Sequence, residues 1–422
     1  MAISFLTIVR HGLIFSLALV ALLSTSAVPA EEAEETVTDE TMNYGEPIVL
    51  TERAKKLHYD CLLVDGHNDM PWEIRDTFSS SLANADIAQR QPKMHTDIPR
   101  LREGGVGAQF WSVWVPVSAG YRGTALGDTI EQIKLVKAII ARYPNDFELA
   151  LSTDDIERIH AEGRIASMIG VEGGHCIEES MSNLKNLYNM GARYMTLTHS
   201  DTLSWADSAT DEGKNDGLNE FGVQVVKTMN DLGMLVDLSH VSVATMHDAL
   251  DVTKAPVIFS HSSARAVAGT KRNVPDDVLK RLPENGGVVM VNFYSGFLVP
   301  EAVENYEQGM AMKRKLEATM DEAEVKAQMQ RWYAANPMPR GTIHHLLDHI
   351  DHLVKVAGVE HVGIGSDYDG VDALPLQLQD VSTYPYITQG LLDRGYSDED
   401  IRAIMGGNLM RAFRAAEKAA QQ

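Results

Sequence analysis

The stretch NEFGVQVVKTMNDLGMLVDLSH, residues 219–240, carries a helix, a strand and a histidine in immediate succession. Apolar residues recur at helical spacing through Asn219–Leu232, and the short apolar run Met234–Ser239 follows. That run lacks the apolar–polar alternation of a half-solvated strand, so it suits a parallel strand buried on both faces. The same pattern extends outward in both directions. Apolar runs stand at residues 61–66, 106–115, 165–171, 193–198, 256–260, 288–293 and 362–366. Between them lie amphipathic segments, clearest at Asp128–Arg142 and Thr342–Val356. Eight strands alternating with helices predict a (β/α)8 barrel, closed by right-handed crossovers. An open doubly wound sheet is the rival, but no G-x-G-x-x-G follows the first strand. The segment Phe297–Arg340 is too long for a simple connection and is helical in composition. It is expected to form a helical insert after strand 7 of the barrel, at the rim of the active face.

The chain has 422 residues, 44% of them hydrophobic, enough for a barrel with a sizeable core. Residues 1–30 hold a lone Arg10, an apolar run from Leu13 to Leu23 and small residues ending at Ala30. This is the layout of a cleavable signal peptide, and the run falls short of the ~20 residues a membrane span needs. The expected address is therefore the bacterial periplasm. Residues 31–50 are acidic and read as a flexible leader, leaving 51–422 as one catalytic domain. A formal net charge of -22 excludes nucleic acid and anionic membrane surfaces as partners. The only two cysteines, Cys61 and Cys176, fall at opposite ends of the barrel and are expected to be free, buried thiols.

Function is written at the strand ends. The first strand closes on His67 and Asp69, the third on Glu172, the fourth on His199, the fifth on His240, the sixth on His261 and the eighth on Asp367. In a (β/α)8 barrel the residues just past the C-terminal strand ends converge on one mouth. So many imidazoles and carboxylates in one apolar mouth require pairing or a metal. Nitrogen and oxygen donors together suit zinc, although manganese and iron accept similar ligands. Five of these donors, His67, Asp69, Glu172, His240 and His261, exceed the needs of one catalytic zinc and match two ions sharing a carboxylate. Two divalent cations against Asp69, Glu172 and a hydroxide leave a small positive excess, able to acidify a bridging water and polarise a carbonyl. Two other histidine groups read differently. His345, His349 and His352 lie on a helix outside the barrel and are expected to be structural, whereas His175 lies nearer the mouth.

The chain resembles the membrane (renal) dipeptidases, zinc enzymes of the metal-dependent hydrolase superfamily. The resemblance runs from about residue 50 to the end. It rests on VDGHND at 64–69, GVEGGH at 170–175, YMTLTHSDT at 194–202, WADS at 205–208, LVDLSHVSVATM at 235–246, APVIFSHSSAR at 255–265, RNVPDD at 272–277, VMVNFY at 289–294 and GIGSDYDG at 363–370. It implies two zinc ions, one on His67 and Asp69, the other on His240 and His261, with Glu172 as the bridge. It implies further that His199 holds the substrate carbonyl and its oxyanion. Asp367 would carry a proton from the bridging water to the leaving amine, and Arg272 would grip the terminal carboxylate. Tyr294 is a candidate pocket residue.

The implied reaction is dipeptide hydrolysis by a metal-bridging hydroxide, with tolerance for a D-residue at the C-terminal side, β-lactam opening as a side activity, and a homodimeric state. The chain departs from the mammalian pattern in three places. Asp201 replaces a disulfide cysteine, Phe297 stands where a second pocket tyrosine is expected, and the insert is longer. No lysine stands at these strand ends, unlike the superfamily branches that bridge their metals with a carboxylated lysine. A different amidohydrolase acting on acyl amino acids or lactams, and a silent metal-binding protein, are the competing readings.

Overall fold

The computed structural model describes residues 45–421. Nine strands, all parallel, run in chain order as β1 (Leu63–Asn68), β2 (Val106–Ser112), β3 (Phe147–Leu149), β4 (Ile165–Glu172), β5 (Ala192–Thr196), β6 (Leu235–Asp237), β7 (Ile258–Phe259), β8 (Val288–Val291) and β9 (Val362–Ile364). The sheet order is β2-β1-β9-β8-β7-β6-β5-β4, and pairing of β2 with β4 closes it into an eight-stranded barrel. Its eight strands are the eight apolar runs of the sequence. The additional β3 pairs only with the first residues of β4 and stays outside the closed ring.

The opening stretch shows how local chemistry sets each unit. The Asn219 side chain accepts hydrogen bonds from the backbone N–H groups of Phe221 and Gly222, capping the helix Glu220–Leu232. Its Val225, Val226 and Met229 are buried toward the barrel. Gly233, with φ of 72°, ends it in the left-handed region that glycine tolerates, and β6 begins two residues later.

Two buried carboxylates pin the strand ends that carry the site. Asp65 on β1 accepts hydrogen bonds from the Ser366 N–H and hydroxyl, the Tyr384 hydroxyl and the Gln109 amide, joining β1 to β2 and to the chain beyond β9. Asp237 on β6 does the same for the β5 and β7 ends, through the Thr196 hydroxyl and the Ser260 N–H and hydroxyl. Both carboxylates are wholly buried and fully partnered, as burial of such groups requires.

Some expectations change. Residues 46–50, assigned above to a flexible leader, are docked on the domain. The Ile48 N–H donates to the Gln377 side chain at 2.7 Å, Gln377 donates back to the Ile48 carbonyl at 2.9 Å, and the Ile48 side chain is buried. The expected signal peptide and the first part of that leader lie outside the described residues. The insert is a hairpin of two helices, Pro300–Glu317 and Glu322–Ala335, with a small apolar core of Leu316, Val325 and Met329. It is tied to the barrel rim by Arg314–Asp211 (2.9 Å) and Lys326–Asp76 (2.7 Å). Cys61 and Cys176 are free and buried, and burial pushes the Cys176 thiol up to about 12. Among the described residues no helix is long and apolar enough to cross a membrane.

Inside the barrel Tyr194 crosses from β5 toward β1, and its ring occupies the space where a side chain at Gly170 would stand. Gly170→Ala is therefore expected to lower stability by about 2 kcal/mol through overpacking. Chemical denaturation would show this, and an unchanged midpoint would contradict it.

Candidate active site

The strand-end residues converge as the barrel requires. His67, at the end of β1, is wholly buried, with Nε2 3.1 Å from Asp69 Oδ2 and 3.5 Å from Glu172 Oε2. Its other nitrogen, Nδ1, lies 2.8 Å from the Tyr194 hydroxyl, which orients the ring and leaves Nε2 without a hydrogen-bond partner. Across the mouth, His240 Nε2 and His261 Nε2 face each other at 2.8 Å. Both also face Glu172 Oε1, at 3.1 and 3.5 Å. Glu172, ending β4, thus turns one oxygen toward His67 and the other toward His240 and His261. Ser112 donates to its Oε2 at 3.1 Å.

Electrostatics makes these groups usable ligands. Burial, with the nearby charge of Arg272 and other imidazoles, lowers the pKa of His240 and His261 well below the ordinary histidine value. His199 is lowered likewise, by burial and then by the Lys313 charge. Neutral imidazoles can each offer a ring nitrogen to a cation, and the 2.8 Å hydrogen bond between the His240 and His261 Nε2 atoms brings two such nitrogens to one point. His67 behaves differently. Burial opposes its protonation, but Tyr194, Asp69 and Glu172 outweigh burial and hold its pKa well above the usual value. Its unpartnered Nε2, the opposed Nε2 atoms of His240 and His261, and the divided Glu172 carboxylate together fit a metal centre.

The expected ligands are all brought together, and the set is wider than expected. Three groupings have donor atoms within 4.8 Å of one another: His67, Glu172 and His261; Glu172, His199 and His240; His67, Asp69 and Asp367. His199 and Asp367, expected as non-ligands, therefore stand within reach of a metal. His199 Nε2 is 3.6 Å from Glu172 Oε1. Asp367 follows β9 with φ of 67°, and its Oδ2 accepts a 2.8 Å hydrogen bond from the Asn292 amide. Burial, reinforced by the Asp69 and Glu172 charges against the opposing effect of His67, pushes the Asp367 carboxyl up to about 8. His240 and Asp369 also have positive φ, strain of the kind that collects at functional sites.

These groups floor a cavity of about 520 Å3. Arg272 lines it, buried to 1% exposure, with its guanidinium 5.0 Å from the Phe297 ring. Its hydrogen bonds, to the Ser262 hydroxyl and the His261 carbonyl, are long at 3.4 and 3.3 Å. No carboxylate pairs with it among the described residues. Tyr294 lines the cavity too.

Sequence reasoning missed several walls. Trp72 and Trp114, edge to face at 4.4 Å, close one side, and Tyr306, Lys313 and Tyr333 reach in from the insert. Asn292 could have been found, because it directly follows β8. The helical histidines are structural as expected. His349 accepts from the Ala264 N–H and donates to the Leu298 carbonyl, and His352 meets Asp276. His175 is occupied by the Val115 carbonyl and does not line the cavity.

Residues 51–422 match the family described as Membrane dipeptidase (Peptidase family M19). The chain belongs to this family. Solved structures agree on the fold. The probable dipeptidase PvdM of Pseudomonas aeruginosa is 23% identical, with a TM-score of 0.76 over 87% of this chain and 98% of that one. A metallopeptidase of Rhodobacter sphaeroides, liganded with a phosphinate mimic of L-Ala-D-Ala, is 21% identical, with a TM-score of 0.68 over 84% of this chain and 99% of that one. The protein is thus a metal-dependent dipeptidase with a (β/α)8 barrel.

The charge states predict proton traffic on loading. In the metal-free protein burial holds a proton on Asp367, whose carboxyl is pushed up to about 8, and keeps His199, His240 and His261 neutral. Zinc titration should therefore release protons, about one from Asp367. Calorimetry in buffers of different ionisation enthalpy measures this, and a release of none would contradict the assignment.

Proposed function

We propose that the chain is an exported dipeptidase with two zinc ions, one held by His67 and Asp69, the other by His240 and His261, and Glu172 shared between them. The observation that carries the substrate class is Arg272. A guanidinium buried to 1% exposure without a carboxylate partner is costly, and it stands in the cavity that the ligands floor. A substrate's free carboxylate supplies the missing charge through the bidentate geometry guanidinium favours. An acyl amino acid would also bring a carboxylate, but this cavity is lined as well by Glu73, Asp369 and Asp372, from the chain after β1 and β9. That acidic arc suits a free ammonium and repels a second anion. Dipeptides carry both charges.

When bound, the zinc ions supply Lewis acidity that makes a water nucleophilic near neutral pH and polarises the scissile carbonyl. The protein groups do the rest. His199, on the cavity wall with Trp114 5.5 Å from its ring, faces the position of the carbonyl oxygen and stabilises the charge developing there. Asp367, held by Asn292, takes the proton of the attacking water and passes it to the leaving amine. Its carboxylate lies within 4.8 Å of the His67 and Asp69 donor atoms, beside the place where the water would be held. Tyr294, packed on Phe297 at 5.0 Å beside Arg272, would wall the C-terminal residue, and tolerance of a D-residue there is part of the proposal.

Asp367→Asn should lower kcat by about a hundredfold or more with two zincs still bound. Turnover near the parent value would sink the shuttle role. Dipeptides amidated at the C-terminus should be cleaved poorly because Arg272 loses its partner. Equal kcat/KM for the free and amidated forms would refute that assignment. Export is checked by sequencing the mature N-terminus from a periplasmic fraction, expected to follow Ala30.

A further inference from the structure

The cavity holds a second cation that the proposed reaction does not use. Lys313, on the insert helix Pro300–Glu317, lines it beside Tyr306 and Met310. Its nearest carboxylate is Glu317, one turn along the same helix and 3.7 Å away, and the Lys313 side chain remains 41% exposed. Such a pair on one helix contributes only about 0.5 kcal/mol, so it leaves the ammonium open to a better partner. Lys313 shares this cavity lining with His199, Arg272 and Phe297.

The barrel order gives this position its meaning. Counting around the ring β1-β9-β8-β7-β6, four steps separate β1 from β6, so these strands stand on opposite sides. His199 follows β5 and Arg272 follows β7, the strands on either side of β6, and Lys313 lines the same cavity from the insert. The loops after β9 and β1 carry Asp369, Asp372 and Glu73. The mouth is therefore charge-separated, with one cation more than a single α-carboxylate neutralises.

We propose that Lys313 selects dipeptides whose C-terminal residue bears a side-chain carboxylate. This rests on the dipeptidase reading above. The α-carboxylate goes to Arg272 and the side-chain carboxylate to Lys313, while the ammonium faces the acidic arc. An acidic side chain on the N-terminal residue would instead meet Glu73 and Asp369.

The test uses the zinc-loaded protein and the near-isosteric pair Ala-Glu and Ala-Gln, each with an L- or D-residue at the C-terminus. The parent should favour the Glu peptide by about fivefold in kcat/KM. Lys313→Met should bring that ratio to about one, and Lys313→Arg should keep it. A parent ratio of one, or a ratio unchanged in Lys313→Met, overturns the proposal. An equal fall on both peptides counts as the latter, because it places Lys313 on the shared α-carboxylate. Equilibrium binding of phosphinate analogues of the two peptides separates this idea from its parent. If neither peptide is hydrolysed but the Glu analogue binds tighter and Lys313→Met removes the difference, the dipeptidase reading falls and the carboxylate site stands.

Discussion

The Glu172 carboxylate sits between imidazole nitrogens that only positive charge can reconcile. One oxygen faces His67 and the other faces His240 and His261, whose own nitrogens are aimed at each other. A carboxylate buried among four ring nitrogens, counting that of His199, is a costly arrangement in a protein interior unless further charge is brought to it. The surrounding architecture exists to hold it. Asp65 and Asp237 lock the strand ends beneath the site, and Tyr194 reaches through the barrel to orient His67. Gly170 leaves Tyr194 the room to do so.

Burial acts on this cluster in two directions at once. It strips protons from His199, His240 and His261 and keeps one on Asp367, because desolvation disfavours whichever form is charged. One enclosed volume thereby contains bases that are free to coordinate and an acid that is free to donate. Neither state needs a dedicated partner for each residue. A closed barrel mouth covered by a helical hairpin provides the enclosure for both.

The barrel and its ligands were legible because each obeys a local rule. Buried parallel strands are unbroken apolar runs, and residues following such runs face one mouth, so His67, Glu172, His240 and His261 could be placed from their neighbours alone. What escaped depends on distance along the chain. β3 has three residues, two of them only half-buried, and shows no apolar run. Tyr194 looks like any strand aromatic until its hydroxyl is found against His67. Tyr306, Lys313 and Tyr333 lie on helices whose period says nothing about the cavity they cover, and only the fold-back of the insert brings them there. Phe297, where a tyrosine is expected, packs on the ring of Tyr306 at 5.0 Å, and both line the cavity. The leader was misjudged at 46–50 because its anchor, Gln377, is more than 300 residues away.

The two cysteines carry one more consequence. Neither is bonded, both are buried, and the thiol of Cys176 is raised far from reactivity. The fold of the domain therefore holds without a disulfide cross-link, its stability resting on packing and hydrogen bonds alone.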